Sequence, residues 1–150
     1  MQLFNGREVA AFYRERVERR LADIQEELHI QPELAIILVG DDAPSAMYAR
    51  SMQKTARAVG LKAEIYQEPD SISEVELLSL IDKLNEQASV FGILPMMPLP
   101  RHLNSQRIID CIDPKKDVDG LTDVNIAHLY TGRPGFVRCT PRAVIAILDY

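Results

Sequence analysis

No apolar run in this 150-residue chain approaches the ~20 residues that a helix needs to cross a bilayer, which excludes a helical membrane span. The opening stretch, Met1-Gln2-Leu3-Phe4-Asn5-Gly6-Arg7-Glu8, has no basic region followed by a long apolar one, so it does not read as a secretion signal. Cysteine is scarce. Cys111 and Cys139 lie far apart, and without such a signal both are expected to be reduced thiols of a cytoplasmic protein. His29, His102 and His128 are scattered, and neither cysteine has a ligand-like neighbour, so no metal set stands out. Basic charge is in deficit: 17 Lys and Arg against 22 Asp and Glu leave a net charge of -5. With no basic cluster interleaved with aromatics, a nucleic-acid surface is not expected. Glycine-rich dinucleotide and phosphate-loop patterns are missing, and Gly40 is followed by Asp41-Asp42, which would repel a phosphate. Low-complexity segments and repeats of fixed period are missing too.

What is present is enough apolar content, 47%, for one globular domain with a real core. Val9, Tyr13, Val17, Leu21, Ile24 and Leu28 recur at helical spacing and predict a long first helix ended before Pro32. Leu34 to Val39 is a continuous apolar run closed by Gly40, the pattern of a strand buried on both faces of a parallel sheet. Asp41-Asp42-Ala43-Pro44-Ser45 then supplies an acidic or hydroxyl helix cap, with proline tolerated in the first turn. Tyr48, Met52, Ala56 and Val59 form one face of that second helix, ended by Gly60. Leu61 to Tyr66 alternates as a strand. Ser71 to Glu74 offers caps for a third helix with Leu77, Ile81, Leu84 and Ala88 on one stripe, and Val90 to Met97 reads as another strand. Short helices are expected over Ser105–Cys111 and Thr122–Leu129, and Thr140-Pro141 opens a last one reaching Tyr150. Alternating helix and strand predict a three-layer α/β/α domain with a mainly parallel sheet. Ligands in such sheets gather beyond the carboxyl ends of the strands, here Gly40–Ser45, the segment after Tyr66, and Pro95–Pro100.

Three stretches carry possible chemistry. Pro114-Lys115-Lys116-Asp117-Val118-Asp119-Gly120-Leu121 has no apolar period and reads as a loop. If extended, it would face both carboxylates one way, with one turned to a cavity and the other neutralised by Lys115 or Lys116. A solvated charged turn is the plainer alternative. Ser45 and Tyr48 are either a cap and a core residue or a hydroxyl and an aromatic platform at a ligand mouth. Gly92-Ile-Leu-Pro-Met-Met-Pro-Leu-Pro100 places three prolines in six residues, which ends a strand and stiffens the loop after it into a possible pocket wall.

Together these pieces resemble the N-terminal catalytic domain of bifunctional methylenetetrahydrofolate dehydrogenase/methenyltetrahydrofolate cyclohydrolase, the FolD family. The carriers are Leu38-Val-Gly-Asp-Asp-Ala-Pro-Ser-Ala-Met-Tyr48, Gly92-Ile-Leu with Pro98-Leu-Pro100, Pro114 to Leu121, Asn125, and Cys139-Thr-Pro141. The resemblance covers essentially the whole chain and implies an amino-acid-dehydrogenase-like N-terminal domain over 1–150. It implies a reduced folate as substrate and a homodimer. NADP (or NAD) would enter only through a following nicotinamide-binding domain, which this chain lacks, so the chain alone is expected to bind no cofactor. Tyr48 matches the tyrosine that stacks on the folate's aminobenzoyl ring, and Asp119 the aspartate that hydrogen-bonds the pterin. Ser45 matches the serine beside the site, and Pro98 opens the Pro-Leu-Pro wall. A carboxylate suits the pterin because it accepts two N–H bonds from an aminopyrimidine edge.

Two matched positions depart from the family. Met52 stands where the family has its catalytic lysine, and Met96 where it has the glutamine that hydrogen-bonds that lysine. Lys54 matches another family lysine and points about 200° from Met52 on a helix, a poor substitute. Pro95 and Arg138 are lesser departures. A thioether carries no titratable proton, and losing a general acid/base commonly costs ~10²–10⁴-fold in rate. Cyclohydrolase activity is therefore expected to be weak or lost, with enzyme function leaning on the dehydrogenase reaction. The alternative is a non-catalytic small-molecule-binding or regulatory domain derived from that family, its two methionines lining a soft apolar pocket.

Overall fold

A computed structural model describes residues 5–150; Met1–Phe4, part of the N-terminal stretch read above, lie outside the described residues. Helix α1 (Gly6–Leu28) begins at Asn5, whose side chain accepts from the Arg7 amide, and ends at His29 in the left-handed conformation. Strand β1 (Glu33–Val39) follows, then α2 (Ala43–Ala58), β2 (Lys62–Glu68), α3 (Glu74–Glu86) and β3 (Val90–Pro95). Three shorter helices complete the chain: α4 (Ser105–Asp110), α5 (Asp123–Thr131) and α6 (Cys139–Leu148). Among the described residues, no helix is long and apolar enough to cross a membrane.

The sheet has the order β2-β1-β3, with both pairings parallel. Its central strand is apolar throughout Leu34–Val39 because it is covered on both faces. Side chains alternate across it. Ala35, Ile37 and Val39 join Leu77, Ile81 and Leu84 of α3 and Ile108 of α4 in the larger core. Ile36 and Leu38 turn the other way and pack with Ala49 of α2 and with Met96. The three layers expected from the alternation of elements are therefore α2, the sheet, and α3 with α4. The apolar stripe of α1 is left half open: Val9 is buried, but Tyr13, Val17 and Leu28 are 40%, 43% and 51% exposed.

Strand β3 stops at Pro95, two residues short of the expected Met97, yet the Met96 N–H still donates to Ile37 O at 2.8 Å. Proline is tolerated there because amides alternate along a strand. The Ile93 N–H points away from β1, to Lys116 O at 2.8 Å, so the amide missing at Pro95 falls on that same outer side. The other ends also shift slightly. Strand β2 runs on to Glu68, and the last helix stops at Leu148 with Asp149 as its C-cap.

Glu33 opens β1 and is only 3% exposed. Its carboxylate accepts from Lys62 Nζ at 2.6 Å and from the Tyr66 hydroxyl at 2.9 Å. Burial, then the bond and charge of Glu33, push the Tyr66 hydroxyl up to about 12. The Lys62 ammonium is held above its usual range by its hydrogen bond to Glu33 and then by the charge. Both folded values are raised, so the stabilisation is fully present below the unfolded values of about 10 and is lost as pH rises through the folded ones. Alkaline unfolding is therefore expected to steepen between pH ~10 and ~12. Glu33→Gln should bring the highest tyrosine titration, read by ultraviolet absorbance, part of the way back toward the ordinary value. A tyrosine titration that does not move would remove Glu33 as its cause.

Candidate functional site

The Pro114–Leu121 loop is not extended. Lys116 and Asp117 both donate their amides to Asp113 O, and Gly120 donates to Asp117 O, so the segment folds into consecutive turns. A parallel bridge between Ile93 and Asp117 lays it against the outer edge of β3. Gly92 permits the approach: a Cβ there would stand 2.5 Å from Val118 Cγ1. The expectation that both carboxylates face one way fails for this reason, because turns separate the directions of residues two apart.

Asp117 points inward and is 1% exposed. Its Oδ1 accepts from the Leu121 N–H at 3.0 Å, and its Oδ2 accepts from the Thr122 N–H and from Asn125 Nδ2, both at 2.9 Å. Neither lysine neutralises it. Lys116 instead donates to Leu84 O, Asn85 O and Gln87 O at 3.0, 2.6 and 2.8 Å. These are carbonyls at the C-terminal end of α3, where the helix dipole and unpaired acceptors favour a cation. Burial there holds the Lys116 ammonium below its usual range.

Asp119 is half-buried and meets a different partner. The Cys139 N–H donates to its Oδ1 at 2.9 Å. Arg138, the N-cap of α6, makes no side-chain cap bond, so Asp119 supplies one from across the chain. Burial, then Asp119 as hydrogen-bond partner and charge, push the Cys139 thiol above its usual range. Such a thiol is a poor nucleophile, in keeping with the absence of any acid–histidine partner read for it.

Helix α2 brings the remaining residues to the rim beyond β1 and β3. Asp42 is its cap: the carboxylate accepts from the Ser45 N–H at 2.9 Å and is held below its usual range by Ser45's side chain and backbone. Ser45 is thus half-buried one turn into the helix and is not itself the cap. Tyr48 is 62% exposed, so it is not a core residue. Met52 packs with Met96, Ala46, Ala49 and Leu38 in the second core cluster. Tyr48 and Met52 also line a groove of about 610 Å³ between α1 and α2, with Tyr13, Arg14, Val17 and Leu34. Lys54 is exposed on another side of the helix. Pro98 is exposed and follows a cis Met97–Pro98 peptide. The structure therefore gathers Tyr48, Met52 and Met96, sets Pro98 two residues beyond them, and brings the Asp119 loop to the edge of β3.

Two participants carried no role in the sequence reading. Asn125, 2% exposed, is tied to Asp117, to Pro114 O through Nδ2 at 2.9 Å, and to the Phe136 N–H through Oδ1 at 3.1 Å. The family resemblance marks it without a role, and it lies in the first turn of α5, where its own amide donates to the Thr122 hydroxyl. Arg14 lines the groove from α1, where it is one of several arginines and nothing in the pattern singles it out.

Among the described residues no group of three or more His, Cys, Asp or Glu is placed to hold a metal. The turn after β1 does not fit a dinucleotide pyrophosphate. Asp42 occupies the start of α2 and already takes a helix amide, and Asp41 stands beside it. A phosphate needs such amides free and no carboxylate near them.

Fold and rim together define a three-layer α/β domain with Tyr48, Met52 and Met96 toward the carboxyl ends of its parallel strands, where sheets of this kind gather ligands. The chain belongs to the tetrahydrofolate dehydrogenase/cyclohydrolase catalytic-domain family, whose pattern matches residues 4–119. It is 40% identical to the bifunctional protein FolD of Streptococcus uberis over 148 residues, 99% of this chain and 52% of that protein. Among solved structures it resembles the bifunctional FolD of Campylobacter jejuni, with a TM-score of 0.95 and 36% identity over 99% of this chain and 53% of that one. It also resembles the Trypanosoma brucei FolD complexed with NADP and inhibitor, with a TM-score of 0.89 and 28% identity over 99% of this chain and 51% of that one. The chain thus spans about half the length of the relatives it matches.

The two loop carboxylates are expected to differ in what they hold. Asp117→Ala strands buried donors and should lower stability by on the order of 3 kcal/mol in urea unfolding, whereas Asp119→Ala, the loss of one cap, should cost about 1 kcal/mol. Equal costs would contradict this division.

Proposed function

We propose that this chain is the folate-binding half of a methylenetetrahydrofolate dehydrogenase whose cyclohydrolase activity is weak or lost. The observation that carries the proposal is the packing of Met52 and Met96 into one apolar cluster with Ala46, Ala49 and Leu38. With no ammonium at position 52, an amide at 96 would be left unpaired and costly in such surroundings; a second thioether avoids that. The swap removes the group that would move protons during hydrolysis of the methenyl C=N⁺ bond, and among the described residues neither Lys54 nor Lys116 replaces it. Lys54 is exposed, and Lys116 is committed to the end of α3.

In this reading Tyr48 stacks on the aminobenzoyl ring, for which its exposed position leaves a free face. Asp119 accepts from the pterin edge through the carboxylate oxygen not bonded to Cys139, and Ser45 and Pro98 border the ligand. The chain's residues bind and orient the folate. Any nicotinamide, NADP or NAD, would be held by a domain following this chain. Cytoplasmic residence and a homodimer belong to the same proposal through the family likeness. A second reading is favoured by the α1–α2 groove, whose lining by Tyr13, Tyr48, Met52 and Leu34 suits another planar ligand and a non-catalytic role.

Calorimetric titration with tetrahydrofolate is expected to show binding that Tyr48→Ala weakens by about tenfold, the scale of a lost aromatic contact. No binding at millimolar folate would rule the proposal out, and tighter binding of non-folate aromatics would favour the second reading. Met52→Lys combined with Met96→Gln is expected to raise cyclohydrolase rate by at least ~10²-fold, the lower end of a general acid/base contribution. A double variant that binds folate yet stays inert would refute the assignment of the loss to these two positions.

A further inference from the structure

We infer that Asn125 is a positioning residue for the Asp119 carboxylate, acting through the Gly132–Arg138 segment. The inference rests on the reading of Asp119 as the pterin-facing group and adds what holds it. Asp119 sits between two anchored points. On its C-terminal side, Leu121 and Thr122 are pinned by Asp117. Across the chain, its Oδ1 takes the Cys139 N–H at 2.9 Å. Cys139 is placed by the segment before it, whose Phe136 N–H donates to Asn125 Oδ1 at 3.1 Å. Asn125 is oriented in turn by Asp117 Oδ2 and Pro114 O, each 2.9 Å from its Nδ2. The circuit runs Asp117, Asn125, Phe136, Cys139, Asp119 and closes through the loop itself.

The two glycines at its crossings support this. A Cβ at Gly120, whose φ is +62°, would lie 2.7 Å from Phe136 O. A Cβ at Gly135 would lie 2.8 Å from Asn125 Oδ1 and 3.1 Å from His128 Cβ. Neither crossing accepts a Cβ unless its neighbour shifts, backbone at Gly120 and side chains at Gly135. Helix α6 has no buried residue of its own, so it offers Cys139 little other support. A buried asparagine with both ends of its amide engaged transmits position well, because no solvent competes for its bonds.

The test reads Cys139, which reports on Asp119 without any ligand. In the chain as it stands, amide exchange of Cys139 by nuclear magnetic resonance and alkylation of its thiol are followed, with Cys111, bonded to Asp82 Oδ1 at 3.2 Å, as the internal control. Asn125→Ala should speed Cys139 amide exchange about tenfold, the equivalent of one lost hydrogen bond, and leave Cys111 alkylation unchanged. Asp119→Ala should do the same to the Cys139 amide, and the double variant should add nothing beyond Asp119→Ala. Should Asn125→Ala fail to fold, Gly135→Ala carries the same test, since Gly135 is exposed and the atoms nearest its added Cβ are those of the Asn125 and His128 side chains. Unchanged Cys139 protection, or a further increase in the double variant, overturns the inference. In a second arm, tetrahydrofolate affinity should fall about tenfold in Asn125→Ala, and an affinity that does not move also overturns it. A parent chain that binds no folate defeats the proposed function, while the Cys139 arm still decides whether Asn125 holds Asp119.

Discussion

A single buried carboxylate organises the end of this domain. Asp117 is almost wholly removed from water and collects three N–H donors, from Leu121, Thr122 and Asn125. Buried polar oxygens are tolerated there because these donors satisfy them. The donors come from the end of its own loop and the first turn of α5, so satisfying one side chain fixes both against β3. Lys116, next in sequence, does the complementary task for the far end of α3. The two residues look like an ion pair in sequence, yet they separate and join four pieces of chain.

That frame leaves Asp119 free to differ from Asp117. It is half-buried, takes one amide from the start of α6, and belongs to the loop laid along the outer edge of β3. The rim carries the exposed ring of Tyr48, and Met52 and Met96 form an apolar patch there. Binding and proton transfer are separable in such a site because they rest on different side chains. In the proposed function only the latter have been exchanged for thioethers.

Much of this was legible in the sequence. The apolar run of β1 and the caps at Asp42 and Ser73 marked their elements, because these depend on neighbours within a few residues. The family resemblance rests on contiguous motifs and gave the family without coordinates. Less legible were the boundary at Pro95, which depends on which side of β3 lacks a partner, and the exposure of α1. The stripe of α1 has the period of a buried face, but burial depends on what lies opposite, and period says nothing about that.

Local order alone therefore settled the sequence of helices and strands, the parallel sheet, and the family to which the chain belongs. These follow from spacing along the chain and from residue identity. Which of two aspartates faces inward, where Lys116 goes, and what Asn125 holds were decided only by tertiary structure. Lys116 and Asn125 find most of their partners more than ten residues away, and Asp117 reaches its nearer ones only through the turns of its loop, by burial and by the need to satisfy every buried polar atom. No periodicity records that choice.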